Sequence, residues 1–164
     1  MPAVLIPASR DHEPVLAGLL ERYAQDFRGL TDLPRGPDGR FEYKDLPRYW
    51  IEPDRHAFFI HDDMLAGFAL VKLGSQRSGD PRVRDMAEFF IAPEHRRRGL
   101  GTEAAHRVWA RFPGPWEVRV LRAHPAALAF WEHAIAAWIG GPPERAEFAA
   151  NGRPWAVLSF ESRP

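Results

Sequence analysis

The fold is decided by Phe89-Phe90-Ile91-Ala92-Pro93-Glu94-His95-Arg96-Arg97-Arg98-Gly99-Leu100-Gly101-Thr102, which reads as an apolar strand, a short basic turn and a glycine-punctuated helix start. A helix leaves its first N–H groups without intrahelical acceptors, and its dipole puts partial positive charge at the same end. Glycines let the backbone come close to a ligand without a side chain in the way. With three consecutive arginines around the rim, these parts make a phosphate cradle. The spacing is not that of a dinucleotide fingerprint, because the three glycines and the later ribose-binding acid are missing. Nor is it a Walker A loop, since no Gly-Lys-Ser/Thr follows.

Working outward, Val83 to Ile91 is apolar on both faces after Asp85 except for Glu88, as expected of an interior strand covered on both sides. Gly99 to Phe112 reads as a helix with Leu100, Ala104, Val108 and Phe112 in one row, ended by Pro113-Gly114-Pro115. Trp116 to Leu121 is a strand, and Pro125 suits the first turn of a last helix with Leu128, Trp131, Ile135 and Trp138 on one stripe. Glu144 to Ala150 and Pro154 to Phe160 flank Asn151-Gly152, a strong hairpin signal.

On the N-terminal side, Ala3 to Ile6 is a short strand. Ser9 or Asp11 then caps a helix whose Leu16, Leu19, Leu20, Tyr23 and Phe27 share one face, ending near Gly29. Thr31 to Pro53 is rich in proline, glycine and aromatics and reads as loops with a short helix around Lys44 to Trp50. His56 to His61 and Leu65 to Leu73 are β-favouring runs joined by Asp62-Asp63-Met64, a hairpin. The order is strand, one or two helices, three strands, helix, strand, helix, two strands. This predicts a mixed α/β fold with helices on both faces of one sheet.

At 164 residues and 45 % hydrophobic composition, the chain has the size of one globular domain with a two-sided core. Basic and acidic residues balance at 22 each, which leaves no global field to draw in nucleic acid or an anionic membrane. The balance is local, however: Thr31 to Asp63 carries eight acids against five bases, and Pro93 to Arg122 seven bases against three acids. The absence of cysteine excludes disulfides, a thiolate nucleophile and zinc–thiolate chemistry, and fits a reducing cytoplasm. The seven histidines show no metal-ligand spacing, so no metal is expected. Met1 to Pro7 lacks a basic leader and a long apolar region, and no apolar run approaches a membrane span, so a mature soluble protein is expected.

The spacing Arg96-x-x-Gly99-x-Gly101 after a strand resembles the acyl-CoA pyrophosphate loop of the GNAT superfamily of N-acetyltransferases. The element order resembles that fold along nearly the whole chain, and the motif match is specific from about Met86 to Trp131. The resemblance implies one GNAT-like domain over residues 1–164, with a central, mostly antiparallel sheet of six to seven strands. It implies acetyl-CoA as co-substrate, with Phe89, Phe90 and Ile91 beside the pantetheine arm. The pyrophosphate would be held by the backbone of Arg96, Arg97, Arg98, Gly99, Leu100, Gly101 and Thr102. The strand Trp116 to Leu121 would diverge from its neighbour and open a slot for the thioester.

Many members begin the final helix Asn-x-x-Ala-x-x-Phe-Tyr, where this chain reads His124-Pro125-Ala126-Ala127-Leu128-Ala129-Phe130-Trp131. By resemblance His124, Phe130 and Trp131 are cofactor contacts, with His124 in place of an asparagine. Trp131 replaces the tyrosine often assigned to protonate the leaving thiolate, which an indole N–H cannot do at neutral pH. The other reading of Trp131 is core packing on its helix stripe.

Amide formation from a thioester needs a deprotonated amine, a polarised carbonyl and two reactants held in attacking distance. Glu88, the only charge between Met86 and Ala92, is the candidate base; its alternative is a strand-edge carboxylate paired with an arginine. The acid-leaning region with Tyr43, Asp45, Tyr49, Trp50 and Glu52 suits a cationic small-molecule or peptide amine, with Tyr43 and Trp50 as candidate acceptor contacts; those aromatics are equally readable as core. Two rivals stand beside the enzyme: a non-catalytic acyl-CoA sensor, and a nucleic-acid module using Arg96 to Arg98, which the zero net charge and missing RNA-binding signature speak against. Family members are often dimers, which makes a homodimer an expectation of the resemblance alone.

Overall fold

The computed structural model describes residues 2–30 and 32–164. Its strands are β1 (Val4–Pro7), β2 (His56–His61), β3 (Leu65–Leu73), β4 (Arg84–Ile91), β5 (Gly114–Leu121), β6 (Glu144–Ala150) and β7 (Arg153–Ser162), and its helices are α1 (Glu13–Gln25), α2 (Leu100–Arg111) and α3 (Pro125–Ile139). They build one seven-stranded sheet in the order β1-β2-β3-β4-β5-β7-β6. Every neighbouring pair is antiparallel except β4 and β5, which run parallel.

The period-2 pattern of the strands splits the core in two. Phe58 and Ile60 of β2 face the side covered by α2 and α3, where Leu100, Ala104, Val108, Trp109, Trp131 and Ile135 meet the sheet. Ala57 and Phe59 face the other side, where Leu16, Leu19 and Leu20 of α1 pack with Phe68, Leu70 and Phe90. Both faces of the central strands are therefore buried, which explains why β3 and β4 read as near-continuous apolar runs.

Differences from the sequence reading are small and lie at the ends of elements. Ser9 caps a 3₁₀ turn at Arg10–His12 rather than α1 itself, its N–H donating to His12 Nδ1 at 3.2 Å. The Pro113-Gly114-Pro115 break is largely absorbed into β5, which pairs from Gly114 onward with β7. The helix expected around Lys44 to Trp50 is a 3₁₀ helix at Leu46–Trp50. At the last hairpin Asn151 and Gly152 both have positive φ, 54° and 69°, as a two-residue primed turn requires.

One irregularity positions everything that follows. β4 and β5 share register only at Arg84↔Trp116 and Asp85↔Glu117, after which the strands part. Within β4, Leu70 of β3 faces Glu88 and Val71 faces Met86, so Ala87 is an extra, bulged residue at the root of the fork. A charge ladder spans the same point: Asp85, fully buried, lies 2.8 Å from Arg119 of β5 and 3.8 Å from Lys72 of β3.

Candidate active site

A cavity of about 1070 Å³ fills the fork and continues past it on both sides. Its walls come from the end of α1, the 32–45 segment, β4, the turn before α2, the start of α3 and the β6–β7 hairpin.

At one end lies the basic turn. Gly99 precedes α2 with φ 77° and Arg97 adopts φ 65°, a left-handed conformation that a residue with a Cβ takes only at a cost. Left-handed residues set into a turn are one way a backbone brings successive N–H groups to one side, the arrangement that suits an anion. The first bond of α2 runs from Glu103 N–H to Gly99 O at 3.1 Å; the amides from Arg97 to Thr102 find no acceptor among the described residues. A Cβ on Gly101 would stand 3.1 Å from the Phe130 ring and 3.5 Å from Ile91, so glycine keeps this wall thin.

The three arginines do different things. Arg96 is a brace: its Nε donates to Ile91 O at 2.8 Å, its Nη2 meets Asp26 at the end of α1 at 2.7 Å, and its guanidinium lies over the Phe90 ring. Arg97 lines the cavity, whereas Arg98 is exposed outside it. The turn is anchored from behind by buried His95, whose Nδ1 is 3.0 Å from Asp62 Oδ2 in the β2–β3 turn. The Met64 amide, followed by His95, holds the Asp62 carboxyl well below the usual carboxylate range.

The sequence candidates therefore separate. Phe89, Ile91, Arg96, Arg97, Gly99, Gly101, Thr102, His124, Phe130 and Trp131 come together around the cavity with Glu88 and Tyr43. Phe90 does not: strand alternation turns it to the opposite core beneath α1. The Leu100 side chain is buried under α2, leaving only its amide available to the turn. Trp50 is also misplaced by the sequence reading, because Leu46, Tyr49 and Trp50 form one side of the 3₁₀ helix and pack into the α1-side core. Trp131 is both wall and core, buried against Phe89 and Phe130 with ring centroids 5.0 and 4.8 Å away. His124 is the N-cap of α3, its Nδ1 accepting from Ala127 N–H at 3.2 Å, so that its Nε2 carries the proton of the neutral ring.

At the floor of the fork sits Glu88, opposite the open side of β5. Tyr23 of α1 donates its hydroxyl to Oε1 at 3.0 Å, and Tyr43 donates to Oε2 at 3.4 Å. Burial pushes the Glu88 carboxyl up to about 7, against the Arg119 charge and the two tyrosine hydroxyls, which hold it down. A carboxylate poised there is half ionised at neutral pH, where a general base is most useful. Burial beside Glu88 raises the Tyr23 and Tyr43 hydroxyls far above their ordinary value, so they remain donors.

The family model described as the acetyltransferase (GNAT) family matches residues 17–135. The chain belongs to the GNAT acetyltransferase family. Solved structures with the same architecture include an acetyltransferase from Thermus thermophilus (TM-score 0.67, 20 % identity, 98 % of this chain and 97 % of that one). A spermidine N-acetyltransferase from Vibrio cholerae in complex with CoA and spermine is as similar (TM-score 0.67, 15 % identity, 98 % and 96 %). A GNAT-family structure from Desulfovibrio desulfuricans follows (TM-score 0.61, 17 % identity, 98 % and 99 %). At these identities the structures establish the fold. No curated protein matches the sequence significantly. The enzyme is thus a GNAT-type acetyltransferase, a family that uses acetyl-CoA, and no helix among its described residues is long and apolar enough to cross a membrane.

Two residues of this acetyltransferase escaped the sequence reading. Tyr23 looked like one more member of the apolar stripe of α1, and Arg119 like one base in a charged block. The signal for Tyr23 was its hydroxyl, which needs a partner once buried. For Arg119 it was isolation between Val118 and Val120, in a strand buried on both faces.

Proposed function

We propose that the enzyme transfers an acetyl group from acetyl-CoA to a primary amine by direct attack within a ternary complex, with Glu88 as the base. The observation that carries this reading is the fork: a gap in the sheet with unfilled amides at one end and a near-neutral carboxylate at its floor. The cradle fits a diphosphate, since it offers unpaired donors, Arg97 and a wall at Gly101 that a side chain would fill. Acetyl-CoA supplies the activated acyl group when bound. The unpaired edge of β4 beyond Asp85 offers backbone to its arm and donors to the developing oxyanion.

The acceptor enters from the side of the 32–45 segment, where Asp32, Glu42 and Asp45 outnumber Lys44 along the cavity wall beside the rings of Phe27 and Phe41. That composition supports a cationic amine, of which the spermidine handled by the Vibrio cholerae protein is one example. Glu88 accepts the ammonium proton so that the amine can attack. The departing sulfur needs little help, since a thiol has pKa about 8.5 and leaves as thiolate near neutrality. The absence of a tyrosine at Trp131 is therefore no obstacle.

The test is release of free thiol from acetyl-CoA, followed with a thiol reagent across a panel of polyamines, amino acids, aminoglycosides and peptides. Turnover with an amine, rising through about pH 7 in kcat/KM, is expected. Acetyl-CoA binding without thiol release from any amine would make the protein a sensor instead.

A further inference from the structure

Both oxygens of Glu88 are occupied, one by Tyr23 and one by Tyr43. Each oxygen keeps a further lone pair, so an amine that passes its proton to Glu88 competes with these hydroxyls for the carboxylate. Tyr23 is fixed in α1, its ring edge-on to Phe27, Phe68 and Phe90 at 5.0, 5.5 and 5.8 Å. Tyr43 makes the longer bond and sits on a segment whose only β-structure is a bridge between Arg35 and Phe41.

That segment is a small hairpin closed by its own backbone: Gly36 N–H donates to Arg40 O at 2.9 Å and Glu42 N–H to Pro34 O at 3.0 Å. Phe41 and Tyr43 pack against the α1-side core, and a polar tie to the body comes from Glu21, two residues before Tyr23 in α1. Glu21 Oε2 accepts from Phe41 N–H at 2.6 Å, and Oε1 lies 3.8 Å from Arg35 Nη1. A charge-assisted bond to a backbone amide is among the stronger single contacts, and this one is two residues from Tyr43.

We propose that Glu21 is a positioning residue for the acceptor: it holds the 34–43 hairpin so that the Tyr43 hydroxyl caps Glu88 until the incoming amine takes its place. The inference rests on Glu88 being the base, and adds to that reading the device that presents and shields it. Tyr23 from α1, Tyr43 from the segment, Tyr49 from the 3₁₀ helix that follows it, Arg119 from β5 and Asp85 from its own strand all act on Glu88. Of these, Glu21 controls only the segment's contribution.

The experiment needs no acceptor, which keeps it separate from the amine panel. The Glu88 side-chain carboxyl is titrated by carbon-13 NMR, and Phe41 amide exchange is followed, in wild type, Glu21→Ala, Tyr43→Phe and the double variant. Losing a hydroxyl that donates to the carboxylate favours the protonated form, so Tyr43→Phe is expected to move the midpoint up by about half a pH unit or more. Glu21→Ala should move it in the same direction with faster Phe41 exchange, and should add nothing in the Tyr43→Phe background. Glu21→Gln, whose amide oxygen still accepts from Phe41, should stay at the wild-type midpoint and serves if the alanine variant does not fold. A wild-type midpoint in Glu21→Ala or Tyr43→Phe, or an equal rise in Glu21→Gln, overturns the latch. Absence of thiol release in the panel overturns the acetyltransfer reading instead.

Discussion

The two ends of the cavity are built on different principles. The end proposed for the cofactor is made of regular structure: the close of β4, a turn with two left-handed residues and the first turns of α2 and α3. Its working groups are backbone amides, which glycine spacing announces. The end proposed for the acceptor is made of side chains gathered from far apart: Tyr23 and Glu88 are 65 positions distant, Tyr43 and Glu88 45. A motif can encode the first kind of site; only tertiary packing assembles the second.

If that contrast holds, substitutions at the two ends should fail differently. The largest effect is expected from Glu88→Gln, which should lower kcat by about 10²-fold or more while leaving acetyl-CoA affinity intact, as steady-state kinetics and calorimetry would show. The same change should stabilise the fold in alkali. The folded carboxyl titrates near 7 against an ordinary 4.5, so the folded protein holds more protons across that window. Stability therefore falls as pH rises through it, and the cost is fully present above 7. Denaturant unfolding at pH 8 should show Glu88→Gln more stable by on the order of 1 kcal/mol or more, with the gain gone at pH 4.

Next comes Gly101→Leu, which forces atoms into the Phe130 and Ile91 wall. It should weaken acetyl-CoA binding by about ten- to a hundredfold in calorimetry, with the far-ultraviolet circular dichroism unchanged. Normal affinity there would break the cradle. Smaller and more discriminating are the three arginines. Arg97→Ala should weaken binding by roughly threefold to tenfold, an effect that salt diminishes. Arg96→Ala should instead act on stability, by no more than about 1 kcal/mol, since its pair with Asp26 is half exposed. Arg98→Ala should change affinity less than about twofold, because its side chain lies outside the cavity while its amide stays.

The legibility of the chain follows the same division. His56 to His61 and Leu65 to Leu73 were readable to the residue, because β-favouring composition and the Asp62-Asp63-Met64 turn between them mark a hairpin. The basic turn was readable because φ > 0 and close approach select glycine. Trp50 was misassigned since an aromatic in a proline-rich segment looks the same whether it lines a cavity or seals a core. Phe90 was expected beside the cofactor through the strand's backbone, and its side chain turns into the α1-side core because side chains alternate along a strand. Glu21 gave no sign at all: its partner is a main-chain amide, which has no letter in the sequence.

The sheet meets itself at the fork through two register pairs, the Lys72–Asp85–Arg119 ladder and the Glu117 carboxylate of β5, which accepts from Ser75 Oγ and Gln76 N–H. Mechanically, the molecule is two β plates welded at one corner, with α2 and α3 laid across the joint on a single side. A ligand lodged in the opening touches both plates and splints them. Its effect on melting temperature and on exchange of amides along the inner rims should therefore reach well beyond the residues it contacts.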